Sequence, residues 1–372
     1  MSSFPPFLNP DALSWRFVSK RNWAPVFHAS IPGFAQSPLI SLPLLAQELG
    51  VGSIHVKNES SRLDLPAFKI LGASWAIARV YGEKLGIPDS ELTFSKIKEK
   101  AHLSGISLLV AATDGNHGRA VARMAMYLGC KSEIFIPFGV SPEAIAAIKS
   151  EGADVHATNS SYDFAVDRAR EFAESIPGAV LIQDTSWEGY EEIPQWIVEG
   201  YQTLCAEIDE QMGEQSVDLA VIPVGVGSLA HAVVAHYRGA SASHPVLVSV
   251  EPTVAACLLE SLHKNVRTSV DTSPTIMAGL NCGTPSEAAW PLLRAGISAS
   301  VAVDDQECAQ SVRELNANGV DSGPCGGATL AGLRTLLSDE GARKQLGISS
   351  TSHVVLINTE GFQANPLPKE YS

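Results

Sequence analysis

From residue 107 onward, the apolar positions change period at regular intervals. Residues 107–113 form an unbroken apolar run, as expected of a strand buried on both faces of a parallel sheet. A helical period follows over 118–128 and stops at Gly129. The exchange recurs, with strands at 132–136, 153–157 and 179–183 and helices at 142–151 and 162–176. A second series places helices at 196–211 and 229–237 and strands at 218–224, 246–250 and 353–358. Strands alternating with helices at this spacing build βαβ units, so the pattern predicts an α/β protein with two parallel-sheet domains. Earlier in the chain, 41–50 predicts a short helix stopped by Gly50, 54–57 a strand, and 68–85 a helix closed by Gly86 and Pro88. The rest of the first sixty residues mixes Pro, aromatics and short apolar runs with no single period. The polar stretch 88–105 is the expected crossing between domains. On that reading 1–100 plus 190–372 make a large cofactor-binding domain and 101–189 a small one.

Composition narrows the class. The 372 residues are 45% hydrophobic and 18% charged, which excludes a disordered, collagenous or coiled-coil chain. A formal net charge of -14 argues against nucleic acid or an anionic membrane as partner. No apolar run approaches the roughly 20 residues of a membrane span. The opening Met1-Ser2-Ser3-Phe4-Pro5-Pro6 lacks the basic-then-apolar order of a signal peptide. Six cysteines are scattered without a C-x-x-C, so neither a disulfide framework nor a metal site is expected. These features predict a cytoplasmic protein.

Three segments carry candidate chemistry. Gly225-Val226-Gly227-Ser228-Leu229-Ala230 joins a strand to a helix, where backbone N–H groups and the helix dipole favour an anion. The same spacing fits a dinucleotide loop with Glu251 ending the next strand, and it also fits a tight turn without a ligand. Thr113-Asp114-Gly115-Asn116-His117-Gly118 lies at the carboxyl end of a strand, where open parallel sheets bind ligands. It suits a substrate carboxylate, or it caps the following helix. Lys69 stands at the start of a helix among apolar residues. Desolvation and the helix dipole there would favour a neutral, nucleophilic amine, whereas a snorkelling lysine would pack its stem and send the amine to solvent.

Taken together, these segments resemble the fold-type II pyridoxal-phosphate enzymes, the tryptophan-synthase-β-like family, and within it most specifically the diaminopropionate ammonia-lyases. The resemblance rests on Phe68-Lys69-Ile70-Leu71-Gly72, Ala112-Thr113-Asp114-Gly115-Asn116-His117-Gly118-Arg119 and Gln183-Asp184-Thr185-Ser186-Trp187-Glu188-Gly189-Tyr190. It continues through Pro223-Val224-Gly225-Val226-Gly227-Ser228, Thr275-Ile276-Met277-Ala278-Gly279-Leu280 and Asn358-Thr359-Glu360-Gly361. These blocks span nearly the whole chain in the family's order. Related serine and threonine dehydratases usually carry a small or hydroxyl residue where this chain has Asp114.

The resemblance implies a pyridoxal 5'-phosphate enzyme performing α,β-elimination on a small amino acid, with 2,3-diaminopropionate giving pyruvate and ammonia. Lys69 would hold the cofactor as a Schiff base and shuttle the Cα proton, with Phe68 packed nearby and Asn116 bonded to the ring oxygen. Gly225, Val226, Gly227, Ser228 and Leu229 would cradle the phosphate, and Thr359 would face the pyridine nitrogen. A neutral hydroxyl there makes the ring a weaker electron sink, which favours elimination over transamination. Asp114 would meet the substrate and act as base toward a D-amino acid, with Asp184 as the second carboxylate. Thr113, Gly115 and His117 would complete the substrate side, His117 orienting the loop. A homodimer is implied as well. Two runs depart from the family. Asp321-Ser322-Gly323-Pro324-Cys325-Gly326 replaces a Glu-Ser-Gly-Ala run, and Phe362-Gln363-Ala364-Asn365 stands where the lyases have a Thr-Asp pair. The alternatives are a pyridoxal-phosphate β-replacement synthase or a serine/threonine dehydratase, and more remotely a nicotinamide-dependent oxidoreductase using Gly225 and Glu251.

Overall fold

The computed structural model describes residues 5–113, 115–239 and 243–371. Asp114 and the opening Met1-Ser2-Ser3-Phe4, both singled out in the sequence, lie outside the described residues. Its strands are β1 (Phe7–Leu8), β2 (Leu39–Ser41), β3 (Ser53–Asn58), β4 (Leu108–Ala112), β5 (Lys131–Ile136), β6 (Asp154–Ala157), β7 (Ala179–Leu181), β8 (Leu219–Pro223), β9 (Val246–Pro252), β10 (Ala299–Val303) and β11 (His353–Asn358). They form one seven-stranded and one four-stranded sheet, as an α/β chain with two sheets requires.

The chain divides into two compact units. One comprises 1–21, 36–61 and 204–372, and the other 22–35 and 62–203. These limits differ from the expected 1–100 plus 190–372 and 101–189. The reason is packing: helix Ile70–Leu85 lies against helix Asn116–Leu128, so the Lys69 segment belongs with the four-stranded sheet. The stretch 88–105 is not a crossing. It holds helix Phe94–Lys100, which buries Phe94 and Ile97 and is capped by the Thr93 hydroxyl accepting the Lys96 N–H.

The first unit's sheet runs β1-β10-β9-β8-β11-β3-β2, with β10 to β3 parallel and antiparallel edges at β1 and β2. Every residue of β8, β9 and β10 is buried, which explains the unbroken apolar run of β8; buried Ser249 and Glu251 interrupt β9, and Ser300 interrupts β10. Val221, Val248, Leu356 and Ile54 share a core with Leu330, Leu333 and Leu336 of helix Pro324–Leu337.

The second unit's sheet runs β6-β5-β4-β7, all parallel. Helix Tyr162–Ser175 lays Ala165, Ala169 and Ala173 into its core. Gly86 ends helix Ile70–Leu85 in the left-handed region at φ 67°. No helix among the described residues is long and apolar enough to cross a membrane.

Candidate active site

Lys69 opens helix Ile70–Leu85 from the N-cap position. Its ammonium is paired with a carboxylate: Nζ stands 2.8 Å from Asp184 Oδ2. It also lies 5.7 Å from the Phe68 ring centroid and 5.9 Å from that of Tyr201. The two rings meet at 4.7 Å. Two glycines make this enclosure. A Cβ on Gly72 would come within 2.5 Å of Tyr201 Cε1, and one on Gly200 within 2.3 Å of the Leu71 carbonyl oxygen. Helices Ile70–Leu85 and Glu192–Met212 therefore touch backbone to backbone, which delivers Tyr201 to Lys69. Tyr201 escaped the sequence reading, although the Gly-Tyr pair facing Lys-Ile-Leu-Gly was a usable signal.

The Asn-bearing loop is built for a tight strand-to-helix turn. The Thr113 hydroxyl accepts the Gly115 N–H at 2.9 Å, and its methyl occupies the space a Cβ on Gly118 would need. Asn116 begins the helix and His117 follows, buried. The His117 Nε2–H donates to the Ile182 carbonyl at 2.8 Å, while Nδ1 is 4.0 Å from Asp184 Oδ2. The His117 ring thus ties the start of the helix to Ile182 and adds a second polar group facing Asp184.

Burial pushes the Asp184 carboxyl up, but the Lys69 ammonium, the His117 ring and the Lys69 hydrogen bond outweigh it. The acid is held well below the usual carboxylate range. Burial pushes the Tyr201 phenol up to about 12, with Lys69 pulling against it. At neutral pH this unit offers an amine locked to an ionised carboxylate beside an un-ionised phenol. Such a set can hold and move one proton at Lys69 Nζ and attract a cationic substituent.

The first unit carries the glycine loop. Gly227 caps helix Ser228–Tyr237 at φ 101°, in the region that favours glycine. A Cβ on Gly225 would stand 2.8 Å from the Gly279 carbonyl oxygen and 3.0 Å from Cys282 Sγ. The Val226 carbonyl accepts the Ser286 N–H at 2.8 Å. The loop is thus a tight cradle, backed by the 275–280 block that the sequence singled out.

Glu251 has a different task from the one a dinucleotide would give it. Its Oε1 accepts the Leu258 N–H and its Oε2 the Leu259 N–H, both at 2.7 Å. It caps helix Cys257–Lys264 from a fully buried position, out of reach of a ribose. The nicotinamide reading fails here because this acid is buried in the unit's interior.

Thr359 is buried at the end of β11. The preceding Asn358 donates to Asn58 Oδ1 and to the Asp321 carbonyl, and accepts from the Ser322 hydroxyl. The two departures from the family pattern are bonded to this region and to its surroundings. Asp321 Oδ1 accepts the Phe362 N–H at 2.8 Å. Glu360 Oε1 accepts from the Cys325 N–H and from Asn365 Nδ2, and that amide also donates to the Ile276 carbonyl. Burial and the nearby Glu360 push the Cys325 thiol far up, so it stays a neutral packing group.

A family model described as pyridoxal-phosphate dependent enzyme matches residues 31–360. Diaminopropionate ammonia-lyase of Salmonella typhimurium is 38% identical over 361 residues, covering 90% of this chain and 87% of that protein. The Escherichia coli K12 protein of the same name is 35% identical over 367 residues, covering 95% and 92%. A crystal structure of the Escherichia coli enzyme in complex with D-serine superposes with a TM-score of 0.85 at 30% identity, covering 99% of this chain and 96% of that one. Threonine deaminase isoform 2 from Solanum lycopersicum, at 20% identity and a TM-score of 0.73, covers 100% of this chain and 91% of its own, and shares the fold.

Proposed function

Since the chain belongs to the pyridoxal-phosphate dependent enzymes, we propose that it eliminates ammonia from 2,3-diaminopropionate, yielding pyruvate and ammonia. The residues present fit the cofactor. Lys69 supplies an amine in a half-buried aromatic setting, and the Gly225–Gly227 turn is a cradle that side chains would fill. Lys69 would be the covalent anchor, Phe68 a packing partner and Asn116 the hydrogen-bond donor to the ring oxygen. Backbone groups of Gly225, Val226, Gly227, Ser228 and Leu229 would hold the phosphate at a helix N-terminus. Thr359 would meet the pyridine nitrogen. When bound, the ring supplies an electron sink for the charge left at Cα.

The chain's own residues would do the rest. Lys69 Nζ would take the Cα proton of an L-substrate and Asp114 that of a D-substrate. Thr113, Gly115 and His117 would set the substrate side of the loop. Asp184 would hold the β-ammonium and keep it protonated until it leaves. The observation that carries this reading is the 2.8 Å pair between Lys69 and a carboxylate held ionised, since a cationic leaving group is what such an acid serves. The family resemblance also supports a homodimer working in the cytoplasm.

The test is a visible spectrum of the purified protein with pyruvate assayed after adding L- and D-2,3-diaminopropionate. A yellow protein whose band shifts while pyruvate forms supports the lyase. A yellow protein inert to both isomers directs the search to β-substituted serines and β-replacement. A protein that takes up no cofactor overturns the proposal.

A further inference from the structure

Gln183 stands where the pairing of β4 with β7 ends. Ile182 still donates its N–H to the Val110 carbonyl at 2.7 Å. Beyond it the backbones part, and Gln183 continues the ladder with its side chain: Oε1 accepts the Ala112 N–H at 2.9 Å. The other half of the amide turns toward the site. Nε2 donates to the Tyr162 hydroxyl at 2.8 Å and reaches Asp184 Oδ1 at 3.4 Å. The Gln183 backbone N–H is taken at 2.8 Å by the Tyr190 hydroxyl, which donates to the Leu181 carbonyl at 2.8 Å. The residue is fully buried, and an apolar side chain of similar volume would fill the space without these bonds.

The placement divides Asp184 between two partners. Oδ2 serves Lys69, and Oδ1 faces the Gln183 amide. Ala112 leads directly into the Asn-bearing loop, and Asp184 directly follows Gln183. One side chain therefore ties both strand-end loops together. We infer that Gln183 is a positioning residue: its side chain fixes Asp184, and with it the carboxylate that faces Lys69, against the Asn-bearing loop. The inference deepens the lyase reading and rests on it only for the role of Asp184 toward substrate.

The test uses the cofactor-loaded enzyme with three variants, Gln183→Met, Gln183→Glu and Tyr162→Phe. Two pH profiles are measured beside melting temperature. One is the substrate-free visible band, which reads the proton at Lys69 Nζ, and the other is kcat/KM for 2,3-diaminopropionate. Gln183→Met is expected to lower kcat/KM at least about tenfold. Gln183→Glu keeps the acceptor for Ala112 but sets a second acid beside Asp184, so both midpoints should rise by about one pH unit. Tyr162→Phe frees the amide from its outer partner and should move the same midpoints by a smaller amount. Variants that melt earlier but keep both midpoints within about 0.2 unit would reduce Gln183 to a structural role and overturn the inference. If the parent enzyme ignores the substrate, the substrate-free profile still decides the inference, and only the functional proposal is lost.

Discussion

The ring of Tyr201 occupies the space that a side chain on Gly72 would need: a Cβ there would stand 2.5 Å from Cε1 and 2.8 Å from Cζ. Ile197 crowds the same point at 2.7 Å. The sequence block around Lys69 therefore contains a glycine for reasons of space, and helix packing sets the walls around the amine. Gly72→Ala should cost about 1–3 kcal/mol through overpacking, read as a lower denaturant midpoint. It should also displace Tyr201 and change the near-ultraviolet signal of the unloaded protein. Unchanged stability would show that the helices part at no cost.

Asp184 links the site to acid stability. Its folded pKa lies below the ordinary 3.8 because of Lys69 and His117, so its contribution is complete above the unfolded value and is lost as pH falls through the folded one. Asp184→Asn should lower the melting temperature at pH 7, and the gap from the parent should begin to narrow below about pH 4. A gap that does not depend on pH would remove the ion pair as its cause.

Glu251 has the opposite sign. Burial raises its pKa from 4.5 to about 8 despite two backbone donors, so the folded state holds its proton more tightly than the unfolded one. Stability should then decline as pH rises from 4.5 to 8, by linkage. Glu251→Gln cannot ionise and should flatten that decline, even though it sacrifices one acceptor at the helix start. Melting temperatures of both proteins from pH 5 to 9 give the comparison. Parallel curves would place the ionisation of Glu251 elsewhere.

Leu63 and Asp64 both adopt positive φ, 53° and 60°, in a two-residue turn closed by Arg62 and Leu65. Asp64 is exposed, so Asp64→Gly relieves strain without opening a cavity. The relief is partly offset by the entropy that glycine adds to the unfolded chain. The net gain should be at most about 1 kcal/mol, seen as a higher denaturant midpoint at unchanged slope. A loss would mean that the Asp64 side chain stabilises the turn.

Much of this architecture was legible because parallel strands buried on both faces leave a plain mark. Residues 108–112 and 219–223 announce themselves as apolar runs, and the Asn-bearing and glycine loops follow their ends. Helix Pro324–Leu337 left no such mark, since Leu330, Ala331, Leu333, Leu336 and their neighbours are buried around most of the helix and no polar face remains. The division of the chain was misplaced because helix Ile70–Leu85 is recruited by tertiary packing, which no local period reports. Lys69, Asp184 and the Gly225 loop could be found by type and spacing. Tyr201 and the bonds of Gln183 depend on where two helices and two strands meet.

The bonds joining Asp321 to Phe362, and Glu360 to both Cys325 and Asn365, make two distant stretches of sequence one structural element. Anyone transplanting this wall into a relative would have to move both stretches. A chimera carrying 321–326 alone would leave the Asp321 carboxylate facing a foreign loop, and one carrying 362–365 alone would bring Asn365 without the run that its Glu360 neighbour contacts. Recombination between the two halves is hazardous.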